Sequence, residues 1–182
     1  MRVETKAIVL DYLPYGKTGG KKIPIIYGLG KNYLTLMEII KPKNLEVTIL
    51  EEIPIITRYK IIKYNQLSET GKINLKKTLE NLIDKEEKLF IEFINKSIPI
   101  TPRLHMLELL PHIGKKTTWE IIKEKEKKPF ESFEDLKNRI KTTINIKKAI
   151  VERIISEYEG KDKYKLFVGS TSFLSKLIST KK

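Results

Sequence analysis

The spacing of apolar residues changes near residue 70. Before that point, short apolar runs alternate with segments rich in glycine, proline and asparagine. Residues 7–13, 23–27, 33–37, 45–49 and 55–64 each read as a short strand, and 45–49 (Leu-Glu-Val-Thr-Ile) shows the cleanest period of two. Residues 14–22 and 28–32 carry the turn chemistry between them. About five short strands in so short a stretch predict a small closed or nearly closed barrel. Beyond it the period becomes helical. Leu75, Leu79, Leu82, Ile83, Leu89, Phe90 and Phe93 form one stripe, which predicts a single amphipathic helix over 72–95. Pro99 and Pro102 interrupt the chain, with Thr101 placed to cap the next helix and Pro102 at its first position. Helices are predicted over 103–110, 115–127, 133–141 and 146–159, and Gly160 ends the last. Tyr164 to Val168 read as one more strand, and the Ser/Thr/Lys-rich residues 169–182 are expected to be mobile at their end.

The fold class expected from this pattern is α+β. An OB-like β-barrel is assigned to 1–66, with an SH3-like barrel as its rival. A linking helix follows over 67–100, then an all-α domain over 101–160, then a basic tail with a short strand over 161–182. The 182 residues suffice for one domain or two small ones, and 40% hydrophobic residues can fill a core.

Charge sharpens the picture. The formal net charge is +13, which points to an anionic partner. The excess is +5 over residues 1–66, zero over 67–102, +3 over 103–160 and +5 over 161–182. Two basic modules on a neutral bridge would have this distribution. The absence of cysteine excludes disulfides and thiolate metal sites, and the two histidines, His105 and His112, are too few for a zinc centre. Neither a cofactor nor a metal is expected. No apolar run approaches the length of a membrane span, and no secretory signal is seen, so a cytoplasmic protein is expected.

The densest chemistry lies at Leu109-Leu110-Pro111-His112-Ile113-Gly114-Lys115-Lys116-Thr117. This stretch closes one helix and opens the next through a tight turn. A helix N-terminus has unpaired amides and a partial positive charge, so it favours phosphate. Here Gly114 adds an open backbone, Lys115 and Lys116 add charge, and Thr117 adds a hydroxyl. Ile144-Asn145-Ile146-Lys147-Lys148-Ala149 aligns with Ile113–Thr118 as a weaker second copy, placing Asn145 where Gly114 stands. In the N-terminal half, Lys17, Lys21, Lys22 and Lys31 lie on loops, and Tyr27 and Tyr33 flank the second turn as candidate base-stacking rings.

Two enzymatic readings are set aside. Gly16-Lys17-Thr18 lacks the glycine a phosphate-binding P-loop needs at position 11, which is Asp11. Asp135 falls near the spacing of the catalytic aspartate in helix-hairpin-helix glycosylases, but Ser132-x-x-Asp135 is accounted for as a helix cap. A non-enzymatic protein is expected.

The Leu-Pro-x-Ile-Gly-Lys-Lys-Thr pattern resembles a helix-hairpin-helix motif, and residues 128–136 resemble the connector between two such units. His112 replaces the first glycine of the usual turn; histidine is among the few other residues enriched at positive φ. The whole chain resembles an archaeal family of unknown function that joins an OB-like barrel to a tandem helix-hairpin-helix domain. The resemblance rests on residues 9–16, 34–38, 100–111, 113–116, 129–135 and 164–168. It implies nucleic-acid binding, with RNA favoured over DNA and a setting at the ribosome or in rRNA maturation. A DNA-repair accessory and a protein–protein adaptor are the alternatives.

Overall fold

The structure, a computed structural model, describes residues 4–20, 22–160 and 162–179. Lys21, one of the expected phosphate contacts, lies outside the described residues. The chain divides into two compact units, Met1–Thr78 with Glu157–Lys182, and Leu79–Ser156. The divisions fall inside two helices.

The first unit is built on a five-stranded antiparallel sheet of β1 (Lys6–Leu13), β2 (Ile25–Gly30), β3 (Leu36–Ile40), β4 (Glu52–Pro54) and β5 (Tyr59–Ile61), in the order β4-β1-β2-β3-β5. Val9 faces Gly28, and a bulge between Val9 and Asp11 re-registers the long first strand. Ala7, Val9, Ile26, Met37, Ile39 and Ile53 make the apolar layer.

The expected closed barrel is corrected: the sheet is open, with β4 and β5 as its edges. Residues 45–49 form no strand. Leu45 and Val47 instead cover the apolar layer from a loop while Glu46 and Thr48 face solvent. Their alternation records one-sided burial without a hydrogen-bonded ladder.

Buried carboxylates organise the rest of this unit. Glu4 is 2% exposed and accepts the amides of Asn32 and Tyr33, each at 2.8 Å. A Cβ at Gly30 would lie 2.3 Å from that carboxylate, which would have to shift from its place. Glu157, also 2% exposed, accepts the amides of Leu166, Phe167 and Val168 at 2.7, 3.1 and 3.0 Å. This corrects the strand expected over 164–168, because the donors a ladder would use are taken by one carboxylate. The Ser/Thr/Lys-rich segment contains a helix, Phe173–Ser179, with Leu174 and Leu177 buried, and the end expected to be mobile, residues 180–182, lies outside the described residues.

The predicted single helix over 72–95 is two, α1 (Glu69–Lys85) and α2 (Glu87–Asn95), broken at Glu86. Asn74 donates to the Leu10 carbonyl at 2.8 Å and ties the start of α1 to β1.

The second unit continues through a small hairpin of β6 (Pro99–Thr101) and β7 (Leu104–His105), a 3-10 turn (Met106–Leu109), α3 (Lys115–Lys127), α4 (Phe133–Ile140) and α5 (Ile146–Glu159). The helix expected over 103–110 is therefore corrected. Thr101 accepts the Arg103 amide at 3.3 Å inside the hairpin turn instead of capping a helix. The 3-10 turn is started by a reciprocal cap: Leu107 N–H donates to His105 Nδ1 at 3.2 Å, and His105 N–H donates to Glu108 Oε1 at 2.8 Å.

The connector before α4 is fixed by side chains. Asn95 donates to the Phe130 carbonyl at 2.8 Å and accepts its amide at 2.9 Å. Ser132 accepts the Asp135 amide at 3.0 Å, while Asp135 reaches back to the Glu131 amide at 3.1 Å, one residue earlier than in the usual capping box. Arg139 donates to the carbonyls of Glu124 and Lys128 at the end of α3 and stacks over Phe130, 4.4 Å from its centroid. With these groups in place, α3 and α4 carry their N-termini at fixed positions.

Candidate nucleic-acid interface

The turn into α3 is set by two residues. His112 adopts φ +67°, the left-handed conformation that the family pattern usually gives to glycine. Its Nε2 lies 3.0 Å from Glu152, and the side chain is mostly exposed. Ile113 is buried and anchors the turn to the core. Together they project Gly114 outward as the N-cap of α3.

Gly114 has φ −89° and ψ −179°, an extended conformation open to any residue, and a Cβ there would meet nothing within 4 Å. Its importance is therefore not conformational. With no side-chain cap at this position, the amides of Lys115, Lys116 and Thr117 at the first turn face outward. Lys115 and Lys116 are exposed, and no ion pair among the described residues holds them. A groove of about 550 Å³ opens beside Lys116 and Thr117, lined also by Lys123, Lys141 and Thr142 and by the carboxylates of Glu120 and Glu124. The arrangement is chemically suited to holding one or more phosphates.

The second copy is built alike and occupied differently. Asn145 is again the residue before the helix, and the Ala149 amide bonds its carbonyl at 3.0 Å just as the Thr118 amide bonds Gly114 at 2.9 Å. However, the Asn145 side chain accepts the Lys148 amide at 3.0 Å, so this N-terminus is already capped. The left-handed residue here is Lys141, at the end of α4, rather than Asn145. Lys147 is paired with Asp84 at 2.5 Å and lies over Phe133, and Lys148 sits 3.8 Å from Glu152. Ile146 is buried at the position equivalent to exposed Lys115.

Most of the candidates on the sheet are also occupied. Lys17 pairs with Glu38 and lies over Tyr27; the Glu38 hydrogen bond holds its ammonium above the usual lysine pKa. Lys31 pairs with Glu52 at 2.9 Å. Tyr27 is 3% exposed on a strand buried along its whole length, so its ring is a core element and not a stacking platform. Tyr33 is half-buried, and Lys22 is exposed. The sheet thus presents no cluster of free cations around an open ring among the described residues.

Two side chains that the sequence did not single out for binding stand beside the first hairpin. Trp119 is 69% exposed on α3. Arg103 lies on the turn between β6 and β7. Both line a groove of about 350 Å³ with Lys115, Thr118 and Ile122.

Comparison with known proteins places this geometry in a family. The family described as "Protein of unknown function (DUF655)" matches residues 3–169. The chain belongs to this family. It is 43% identical over 176 residues to the uncharacterized protein MJ0038 of Methanocaldococcus jannaschii, which covers 92% of this chain and 81% of that relative. Its fold is similar to the crystal structure of Af1531 from Archaeoglobus fulgidus, titled as a member of DUF655. The TM-score is 0.82 at 36% identity, over 91% of this chain and 100% of that one. The DUF655 chain thus has relatives in archaea, as the resemblance implied. No helix among the described residues is long and apolar enough to cross a membrane.

Proposed function

We propose that this DUF655 protein binds the sugar-phosphate backbone of a nucleic acid, RNA in preference to DNA, through the first hairpin of its helical unit. The observation that carries the reading is the uncapped N-terminus of α3, where outward-facing amides coincide with two unpaired lysines. The second hairpin acts as a structural counterpart, because its cap and its cations have internal partners. The preference for RNA rests on the family resemblance; phosphate contacts alone do not distinguish the two nucleic acids. No catalytic step is assigned: Asp135 is committed to the Glu131 amide and to Arg139 at 3.3 Å, and these interactions keep its carboxyl below the usual aspartate pKa.

The test is a titration of the full chain against a labelled stem–loop RNA and a DNA of equal length at several salt concentrations. If about three to five phosphates are neutralised, log K falls against log salt with a slope of roughly −2 to −4.5. A salt-independent affinity, or none for either nucleic acid at low salt, rejects the reading in favour of a protein adaptor.

A further inference from the structure

We propose that the groove beside the first hairpin is a stacking subsite for one unpaired nucleobase, with Trp119 as its platform. The helical unit then takes a single-stranded segment or a stem–loop junction in preference to a plain duplex. This rests on the reading of the Gly114–Thr117 turn as a phosphate site and adds the part of the ligand that the turn itself does not read.

Four observations converge. Trp119 exposes 69% of its surface, although tryptophan is highly buried on average. An exposed indole offers a π-face to any base. Lys115, Thr118, Trp119 and Ile122 are spaced i, i+3, i+4 and i+7, so they share one face of α3, and all four line the same groove. The indole is one helical turn from the phosphate site, about 6 Å of rise, a separation on the scale of a single nucleotide.

The charge is also complementary. Arg103 and Lys115 flank the groove, and its one lining carboxylate, Glu108, accepts the His105 amide.

Trp119 is the chain's sole tryptophan, so intrinsic fluorescence reports on it alone. The full chain is titrated with a single-stranded 12-mer, a blunt duplex of the same length and a stem–loop, each also followed by anisotropy. The single strand and the stem–loop should quench the indole emission, whereas the duplex should bind without quenching it. Trp119→Ala should weaken the two quenching ligands by about 5- to 100-fold and the duplex by less than about twofold, with Trp119→Phe restoring most of the loss. Melting curves should match wild type, since the side chain is exposed. Binding of the single strand without quenching, or with unchanged affinity in Trp119→Ala, overturns the stacking subsite while leaving the hairpin reading intact. Unchanged affinity for all three ligands in Lys115→Glu/Lys116→Glu overturns the hairpin reading instead. If no nucleic acid binds at low salt, or only an acidic peptide does, both are wrong.

Discussion

Gly114 and Asn145 open equivalent helices in two hairpins, and the surroundings of each give the same backbone device a different use. Before α3 the cap position has no side chain, the left-handed residue is His112, and two lysines extend without partners. Before α5 the cap position satisfies its own helix, the first helical residue is a buried isoleucine, and the following lysines are held by Asp84 and Glu152. On the proposed reading, an anion site and a structural joint differ in where the local donors and cations are already committed. Sequence similarity between the copies does not report that.

Charge reversal should break this comparison most sharply. Lys115→Glu with Lys116→Glu should lower nucleic-acid affinity at low salt by about 10- to 100-fold. It should also reduce the magnitude of the salt slope by about 2, one for each phosphate that is no longer neutralised. Because both side chains are exposed and unpaired, the melting temperature should hold. Lys147→Glu with Lys148→Glu should do the reverse. New carboxylates would face Asp84 and Glu152, so the melting temperature should fall while affinity changes by less than about threefold. Equal losses of affinity in both doubles would mean that the hairpins bind as a symmetric pair.

The contrast also marks what could be read in the sequence. The spans of α3 and α5 were legible because their starts carry a glycine or asparagine before a helical apolar period and their ends meet a break. His112 was legible as a left-handed position only through the resemblance to the helix-hairpin-helix turn, whose first glycine it replaces. The open sheet was not, because the alternation at Leu45–Val47 reports one-sided burial equally well for a strand and for a covering loop. The lost strand at 164–168 depended on Glu157, whose buried carboxylate is indistinguishable in sequence from a solvated one. Lys17 and Lys31 read as free cations because Glu38 and Glu52, their partners, are brought close only by the sheet. Trp119 was not legible as an exposed ring: it sits beside Ile121 and Ile122, yet Ile121 is 1% exposed and Trp119 is 69% exposed.

Exchanging the caps tests the same contrast more gently. Asn145→Ala removes the acceptor of the Lys148 amide and should cost about 1 kcal/mol of stability, with affinity unchanged. Gly114→Ala meets no atom within 4 Å, and because alanine is a poorer N-cap than glycine it should cost about 0.5–1 kcal/mol of stability. Its methyl group stands where a phosphate must approach the amides, and affinity should fall on the order of tenfold. At φ −89° the turn forms with any residue, so on the proposed reading the missing side chain leaves room for the phosphate. Calorimetric melting beside anisotropy separates the two outcomes. A Gly114→Ala variant that binds like wild type would remove the α3 amides from the interface.

The smallest expected effect is a pH dependence confined to the hairpin that leads into the first site. His105 is buried, and this burial, followed by the nearby Lys125 ammonium, pushes its imidazole below the ordinary 6.5; Glu108 opposes them. The geometry agrees, since Nδ1 accepts the Leu107 amide and must be unprotonated to do so. A histidine whose folded pKa is depressed binds its proton more readily when unfolded. Its contribution to stability is thus complete above 6.5 and is lost as pH falls from there through the folded value. Wild type should melt at a lower temperature at about pH 5.5 than at about pH 7.5. His105→Asn keeps an acceptor for the Leu107 amide but does not titrate, so the difference between the two pH values should shrink in that variant. Lys125 is a separate group: burial lowers its pKa from the ordinary 10.5, while its ammonium donates to the Ser97 carbonyl at 2.7 Å and to the Ser97 hydroxyl at 3.1 Å, holding the end of α2. A pH difference of equal size in wild type and His105→Asn would assign the acid sensitivity to groups outside this turn.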